Sequence, residues 1–410
     1  MKIPWQAWYG DHEIELTFPA GWQVERIAMA DAPAAHPDTL RYSLYNPTGA
    51  PRLRELAAPG CKVVIVVEDI TRPSPTARII PLVLAELEAG GVRPADTSFL
   101  VALGAHAPLR RAELVLKLGE PVVRNYAIYQ NHPYENQLYL GQTQRGTPIY
   151  LNQRYLAADL RISVGSILPH GLAGFAGGVK TVAVGVAGIE TLHANHSRAR
   201  QTPVPMAGRL DGNDCRDDLE EIGRLVGLHF IVNTVVNSRR EIAGLFAGDF
   251  IAAHRAGVAF ARQVYATELP PPADIAILNA YPKDSDLVQL INALNVAGRD
   301  LRRVIKPSGS VVLATACTHG VGVHYLSGTG MRGHGPIHRQ KLGLGQHGLI
   351  IYSPNLSPLD IQHYPGDTCL FNEWLAAIAA LQRRHGEQAA VSVFPTAALQ
   401  LPADVAALAE

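Results

Sequence analysis

Four side chains in the first half of this chain have the types and spacing that chemistry needs: His106, His170, Lys180 and His196. Two of them bracket Pro169-His170-Gly171-Leu172-Ala173-Gly174-Phe175-Ala176-Gly177-Gly178-Val179-Lys180, a stretch too rich in glycine to serve packing. Glycines let backbone N–H groups close on a ligand, so the loop, with Gly177 and Gly178, reads as built around one. Val179 stands where a GxxxxGK[ST] phosphate loop requires glycine, so a nucleoside-triphosphate site is a poor match. A lysine so placed suits a covalent anchor for a cofactor.

Further candidates lie on either side of this loop. Asp69-Ile70-Thr71-Arg72-Pro73 offers Arg72 as a planar fork for a carboxylate or phosphate, with Asp69 and Thr71 to bind polar groups or position a neighbour. The plainer reading of that segment is a solvated turn closed by proline. His106, in Gly104-Ala105-His106-Ala107-Pro108, is an acid/base candidate. His193 and His196 are three residues apart on an expected helix, so one or both could ligate a metal; a polar helix face is the alternative. His132, His319, His324, His334, His338 and His347 read as structural.

The elements that must hold these groups alternate in type. Lys62 to Val67 is a continuous apolar run, as in a strand buried on both faces. A helix is expected over Thr76 to Ala89, closed by Gly90-Gly91, then a strand over Phe99 to Leu103 and a helix over Leu109 to Leu118. Strands follow at Leu160 to Gly165 and Phe230 to Val236, and a helical region at Ile251 to Leu269. Pro270-Pro271-Pro272 marks a linker. Beyond it the pattern resumes: strand Asp274 to Leu278, helix Leu287 to Leu294, strands Ser310 to Ala314 and Leu349 to Ser353, helix Leu370 to Arg384, strand Val391 to Phe394. Ser327 to Gly348 reads as a surface loop or mobile segment. The fold class is α/β, with mostly parallel sheets in two domains, 1–269 carrying the motifs and 273–410 closing a cleft over them. Sites in such sheets lie outside the carboxyl ends of strands, where Asp69, Arg72 and His106 fall.

Composition narrows the function. Lysine plus arginine balances aspartate plus glutamate at 36 each, so nothing marks a nucleic-acid partner. Cys61, Cys215, Cys317 and Cys369 are scattered with no CxxC, which suits a reducing compartment and argues against a structural zinc site. No apolar window has membrane-spanning length and no signal peptide is evident, so a cytoplasmic protein without a membrane partner is expected.

Jointly, DxTRP at Asp69 to Pro73, GxHxP at Gly104 to Pro108 and PHGLAGFAGGVK followed by His196 resemble the lactate racemase family. Its members use a nickel pincer nucleotide, pyridinium-3-thioamide-5-thiocarboxylic acid mononucleotide, made by dedicated cofactor-synthesis enzymes. The resemblance implies that Lys180 tethers this cofactor through a thioamide and that His196 ligates nickel in a square-planar site with two sulfurs and one carbon. It implies His106 and His170 as general acid/bases on a 2-hydroxy acid, and Asp69, Thr71 and Arg72 as contacts to cofactor phosphate or substrate. Tyr281 to Gln289 resembles the family's substrate-side segment, with Gln289 near the substrate. There the lactate-specific pattern has tyrosine before the glutamine and lysine three after it; this chain has Val288 and Asn292, which points to a 2-hydroxy acid other than lactate. Two other readings compete: a zinc-dependent hydrolase or lyase using His193, His196 and a carboxylate, and a non-catalytic binder of small anions. Neither oligomeric state nor the individual acid follows from the sequence.

Overall fold

The computed structural model describes residues 1–199, 207–298, 300–327, 331 and 337–407. Two six-stranded sheets organise them. In the first, strands run in the order Ile242–Gly248, Phe230–Val236, Leu160–Ser166, Val63–Glu68, Thr97–Ala102, Ala127–Gln130. All are parallel except the Ile242–Gly248 edge, which returns antiparallel to Phe230–Val236. Val63–Glu68 is buried along its whole length because helices cover both faces, which is why Val63 to Val67 is an unbroken run of β-branched residues, with Glu68 the one buried carboxylate at its end. Val64 and Val66 pack into one core and Val63, Ile65 and Val67 into the opposite one.

The second sheet runs Cys369–Phe371, Gly348–Tyr352, Ile305–Ala314, Ala273–Asn279, Ala390–Phe394, Gln23–Arg26 and is parallel throughout. Its last strand comes from near the start of the chain, a crossing that local pattern did not signal. The helix expected from Leu370 begins instead at Trp374, because Cys369–Phe371 extends along Gly348–Tyr352 as an edge strand. The expected helix from Leu287 is a 3-10 turn series over Leu290–Ala297, opened by Asp286, whose Oδ1 accepts the Gln289 N–H at 3.0 Å. Within the stretch read as a surface loop, Leu342 and Leu344 are buried in the second core; His334 lies outside the described residues. The hairpin Gln137–Gln142 with Pro148–Asn152 was likewise not anticipated.

In both sheets the carboxyl ends of the central strands converge. Val63–Glu68 delivers Asp69 and Arg72, Thr97–Ala102 delivers His106, and Leu160–Ser166 delivers His170. From the other side, Ala273–Asn279 runs into Lys283 and Gln289, and Ile305–Ala314 into Cys317 and His324. A single antiparallel bridge pairs His106 with His324, and the Tyr325 N–H donates to the Ala105 carbonyl at 2.8 Å, joining the loop beyond Thr97–Ala102 to the loop beyond Ile305–Ala314. Among the described residues no helix is long and apolar enough to cross a membrane.

Candidate active site

A cavity of about 360 Å³ opens where the strand ends meet, lined on one side by Asp69, Arg72, His106, His170, Gly177, Lys180 and His196 and on the other by Gln289, Asn292, Asn295 and His324. Thus most of the residues singled out from the sequence share one space. Thr71 and Gly178 stand just behind it, and His193 faces Ser197 at 3.5 Å. His132 packs against the rings of Tyr134 and Tyr325, and His319 bonds to Tyr9 and Glu113; neither lines the cavity. His324, read as structural, does line it, with its ring centroid 5.6 Å from that of His106.

Asp69 is the first residue past its strand, and its carboxylate closes the turn. Oδ1 accepts the Thr71 backbone N–H at 2.7 Å and the Thr71 hydroxyl, and Oδ2 faces His106 Nδ1 at 2.7 Å. Burial by itself would raise the Asp69 pKa, but the His106 ring, the Arg72 guanidinium and the Thr71 hydroxyl outweigh it and hold the carboxyl well below its usual range. An ionised Asp69 can only accept, so His106 carries its proton on Nδ1 and presents a lone pair at Nε2. That nitrogen lies 3.5 Å from the Gln289 amide nitrogen.

His170 is wired the opposite way. Its Nδ1 accepts backbone N–H groups from Leu172 at 3.3 Å and Ala173 at 3.1 Å, so the neutral ring carries its proton on Nε2. Burial, then Lys180, Lys283, Arg72 and His196, push its pKa well below the ordinary histidine value. The loop that holds it is shaped by its glycines. Gly177 has φ +76°, and a Cβ there would sit 2.8 Å from the Ser166 carbonyl; Gly178 has φ +57°, with His254 as close. The Gly178 N–H is bonded to Asn233 Oδ1 at 2.6 Å, so this glycine shapes the loop without offering a donor to a ligand. Buried Arg216 fastens the same loop through the Ala173 and Phe175 carbonyls.

Lys180 faces the cavity, and its side-chain amine makes no hydrogen bond or salt bridge among the described residues. Burial first, then Arg72 and Arg216, lower its pKa to about 7, so a large share of its amine is neutral and nucleophilic near neutral pH. His196, on the helix Ile189–Ala199, donates from Nδ1 to the Leu192 carbonyl at 2.8 Å. This fixes the tautomer that leaves Nε2 with a lone pair, the arrangement of a metal-ligating histidine.

Several contributors escaped the sequence reading. Buried Glu68 accepts the Ser166 N–H at 2.8 Å and the Lys117 ammonium at 3.1 Å, and Lys117 also donates to the Arg72 carbonyl at 2.9 Å, setting the loop that carries Arg72. Nothing local marks Lys117, which sits in an ordinary amphipathic helix. Asn233 did leave a signal, as the one amide inside the apolar strand Phe230–Val236.

A family model described as the lactate racemase N-terminal domain matches residues 9–207. The lactate racemase of Thermoanaerobacterium thermosaccharolyticum is 31% identical over 290 residues, 70% of this chain and 67% of that protein. That of Lactiplantibacillus plantarum is 34% identical over 310 residues, 74% and 71% of the two chains. The fold is similar to that of the lactate racemase apoprotein from T. thermosaccharolyticum, with a TM-score of 0.77 at 24% identity over 98% of this chain and 99% of that one. A protein from Thermotoga maritima follows at a TM-score of 0.67 and 16% identity, over 84% and 95%. The chain belongs to the lactate racemase family and is an isomerase of the racemase class.

Proposed function

We propose that this protein is a nickel-dependent racemase or epimerase of a 2-hydroxy acid, working with a nickel pincer nucleotide tethered at Lys180. The observation that carries the reading is the convergence of His106, His170, Lys180 and His196 on one cavity. The residues present fit the group: an amine without a polar partner for the thioamide tether, and an imidazole oriented by its Nδ1 contact to the Leu192 carbonyl. Among the described residues no group of three or more His, Cys, Asp or Glu is gathered to hold a metal ion. A zinc site built on His193, His196 and a carboxylate therefore lacks its ligand set. A cofactor that brings three donors of its own asks only one imidazole of the protein.

When bound, the nickel pincer nucleotide supplies an acceptor and donor for the Cα hydrogen as hydride. The protein's task is the hydroxyl proton and the orientation of the acid. Arg72 can hold the substrate carboxylate as a planar fork; its Nη1 already touches Gln289 Oε1 at 3.3 Å. His106 Nε2, with its lone pair, is set to take the hydroxyl proton of one enantiomer, while Asp69 stabilises the resulting imidazolium. His170 Nε2–H is set to donate a hydrogen bond to the oxygen presented from the other side; as general acid it would give up a proton only from its imidazolium form, returning to the neutral ring. One group per side is required because the two enantiomers point their hydroxyls in opposite directions. Positioned proton transfer of this kind contributes roughly 10²- to 10⁴-fold. A site dried by the two lobes strengthens each of these contacts.

The test uses a 2-hydroxy acid deuterated at C2, given to protein co-produced with the cofactor-synthesis enzymes. Hydride transfer without solvent exchange predicts that the inverted product keeps its deuterium. Complete wash-out into water indicates proton abstraction at carbon and refutes the mechanism.

A further inference from the structure

Arg72, His106 and His170 all stand on loops of the first sheet. In the proposed function they take the carboxylate and the hydroxyl of the acid, which leaves its C2 substituent for the opposite wall. That wall is built on the turn series that Asp286 opens. The Gln289, Leu290 and Asn292 N–H groups reach back three residues, to the Asp286, Leu287 and Gln289 carbonyls at 3.2, 3.2 and 3.0 Å. Three residues per turn set every third side chain in one row. Leu287, Leu290 and Ala293 form the row that packs into the second core, each 2% exposed or less. Gln289, Asn292 and Asn295 form a polar row. The remaining row is again apolar, yet its first two members, Val288 and Ile291, line the cavity, and Ile291 is 38% exposed.

A second segment extends this patch. The Leu287 N–H donates to the Gly320 carbonyl at 3.0 Å, and a Cβ on Gly322 would meet the Asp286 side chain at 2.8 Å. Val321 is held between these two glycines beside the start of the turn series, lines the same cavity and is 37% exposed. The patch adjoins the reacting groups through Gln289, which follows Val288 and lies 3.3 Å from Arg72 Nη1 and 3.5 Å from His106 Nε2. The polar groups of this wall are engaged within the protein. Asn292 Nδ2 donates to the Gln289 carbonyl at 2.8 Å, Ser327 Oγ bonds to His324 Nδ1 at 2.9 Å, and the Asn295 amide nitrogen is buried out of contact. Among the described residues, no lysine or arginine from the loops of the second sheet lines the cavity. A second carboxylate on the substrate would lose its water here and meet no cation, whereas a hydrocarbon would cover Val288, Ile291 and Val321.

We propose that Val288, Ile291 and Val321 form the substituent pocket and select 2-hydroxy acids carrying an apolar group of several carbons at C2 over lactate. This role rests on the proposed function, which supplies the carboxylate and hydroxyl contacts.

The experiment uses the series glycolate, lactate, 2-hydroxybutyrate and 2-hydroxyisocaproate. Affinity is measured by calorimetry on the protein as isolated, and kcat/KM of the chiral members on nickel-loaded protein. Each buried methylene is expected to raise affinity about fourfold, with kcat/KM rising in parallel. Ile291→Ser and Val321→Ser lie at partly exposed positions, where such changes cost the fold little. Each should narrow the ratio of 2-hydroxyisocaproate to lactate by about fivefold, and Ile291→Leu, which keeps the apolar area, should retain it. Neither quantity rising with chain length in the wild type, or ratios that the serine variants leave unchanged, overturns the proposal. Racemisation of lactate without such a rise keeps the proposed function and removes this pocket. Affinity that climbs along the series in a chain that takes up no nickel removes the proposed function and keeps the pocket.

Discussion

Substituting Asp69 by asparagine probes the acid/base machinery with one atom changed. The two carboxylate oxygens have distinct partners: Oδ1 is claimed by the Thr71 N–H and hydroxyl, and Oδ2 by His106 Nδ1. An asparagine therefore keeps its carbonyl toward Thr71 and turns its NH₂ to His106. That amide can only donate, so His106 must accept at Nδ1 and move its proton to Nε2, where the lone pair is needed. Loss of one charge-assisted hydrogen bond, roughly 1.5–3 kcal/mol, corresponds to about ten- to 150-fold at about 1.4 kcal/mol per decade. The wrong tautomer adds to this, and exchanges of this type have reduced turnover by about 10⁴ elsewhere. A fall in kcat of about 10²- to 10⁴-fold is expected, measured by chiral chromatography on variant and wild type matched for nickel content. Nitrogen NMR should place the His106 proton on Nδ1 in the wild type and on Nε2 in the variant. Turnover within threefold of wild type, or a His106 still protonated at Nδ1, refutes the reasoning. Acid stability gives a parallel readout. The Asp69 pKa is lowered on folding, so its stabilising effect is full above the unfolded carboxylate value near ~3.9 and fades as pH falls through the lower folded value. The variant should lose that part of the acid limb.

Three further outcomes follow from other parts of the site. Lys117→Ala strands the buried Glu68 carboxylate and should cost about 3–5 kcal/mol in denaturant unfolding; a change under about 1 kcal/mol would show the pair to be dispensable. Lys180, with a pKa near 7, should be acylated by a small amine reagent increasingly as pH rises from about 6 to 8, whereas ordinary lysines stay protonated through that window; peptide mapping across pH reads this, and a rise only above about pH 9 contradicts it. His170→Ala should abolish racemisation while nickel and tether remain; wild-type turnover in that variant removes His170 from the mechanism.

The sequence was most legible where chemistry and backbone needs coincide. The run to Val67 announced itself because a strand buried on both faces is apolar along its core-facing length, and the polar residues from Glu68 onward had to be at its carboxyl end. Gly177 and Gly178 were read as ligand-closing, but their φ values and tight neighbours show a different need: each bends the loop where a Cβ cannot fit. Gly177 still borders the cavity; Gly178 does not. Less legible were partners set by long-range topology. Lys117 reaches Glu68 across 49 residues of chain, and Gln23–Arg26 joins a sheet whose neighbouring strand is Ala390–Phe394. Such pairings depend on how strands are ordered, which local periodicity does not encode. The tautomers of His106 and His170 were equally hidden, since they follow from Asp69 in one case and two backbone N–H groups in the other.

The most direct measurement is intact mass and nickel content of the protein after co-production with the cofactor-synthesis enzymes. One nickel per chain, with added mass mapping to Lys180 and absent from Lys180→Ala, is the predicted result. An unmodified Lys180 and no nickel in protein from cells that load another member of the family would contradict it.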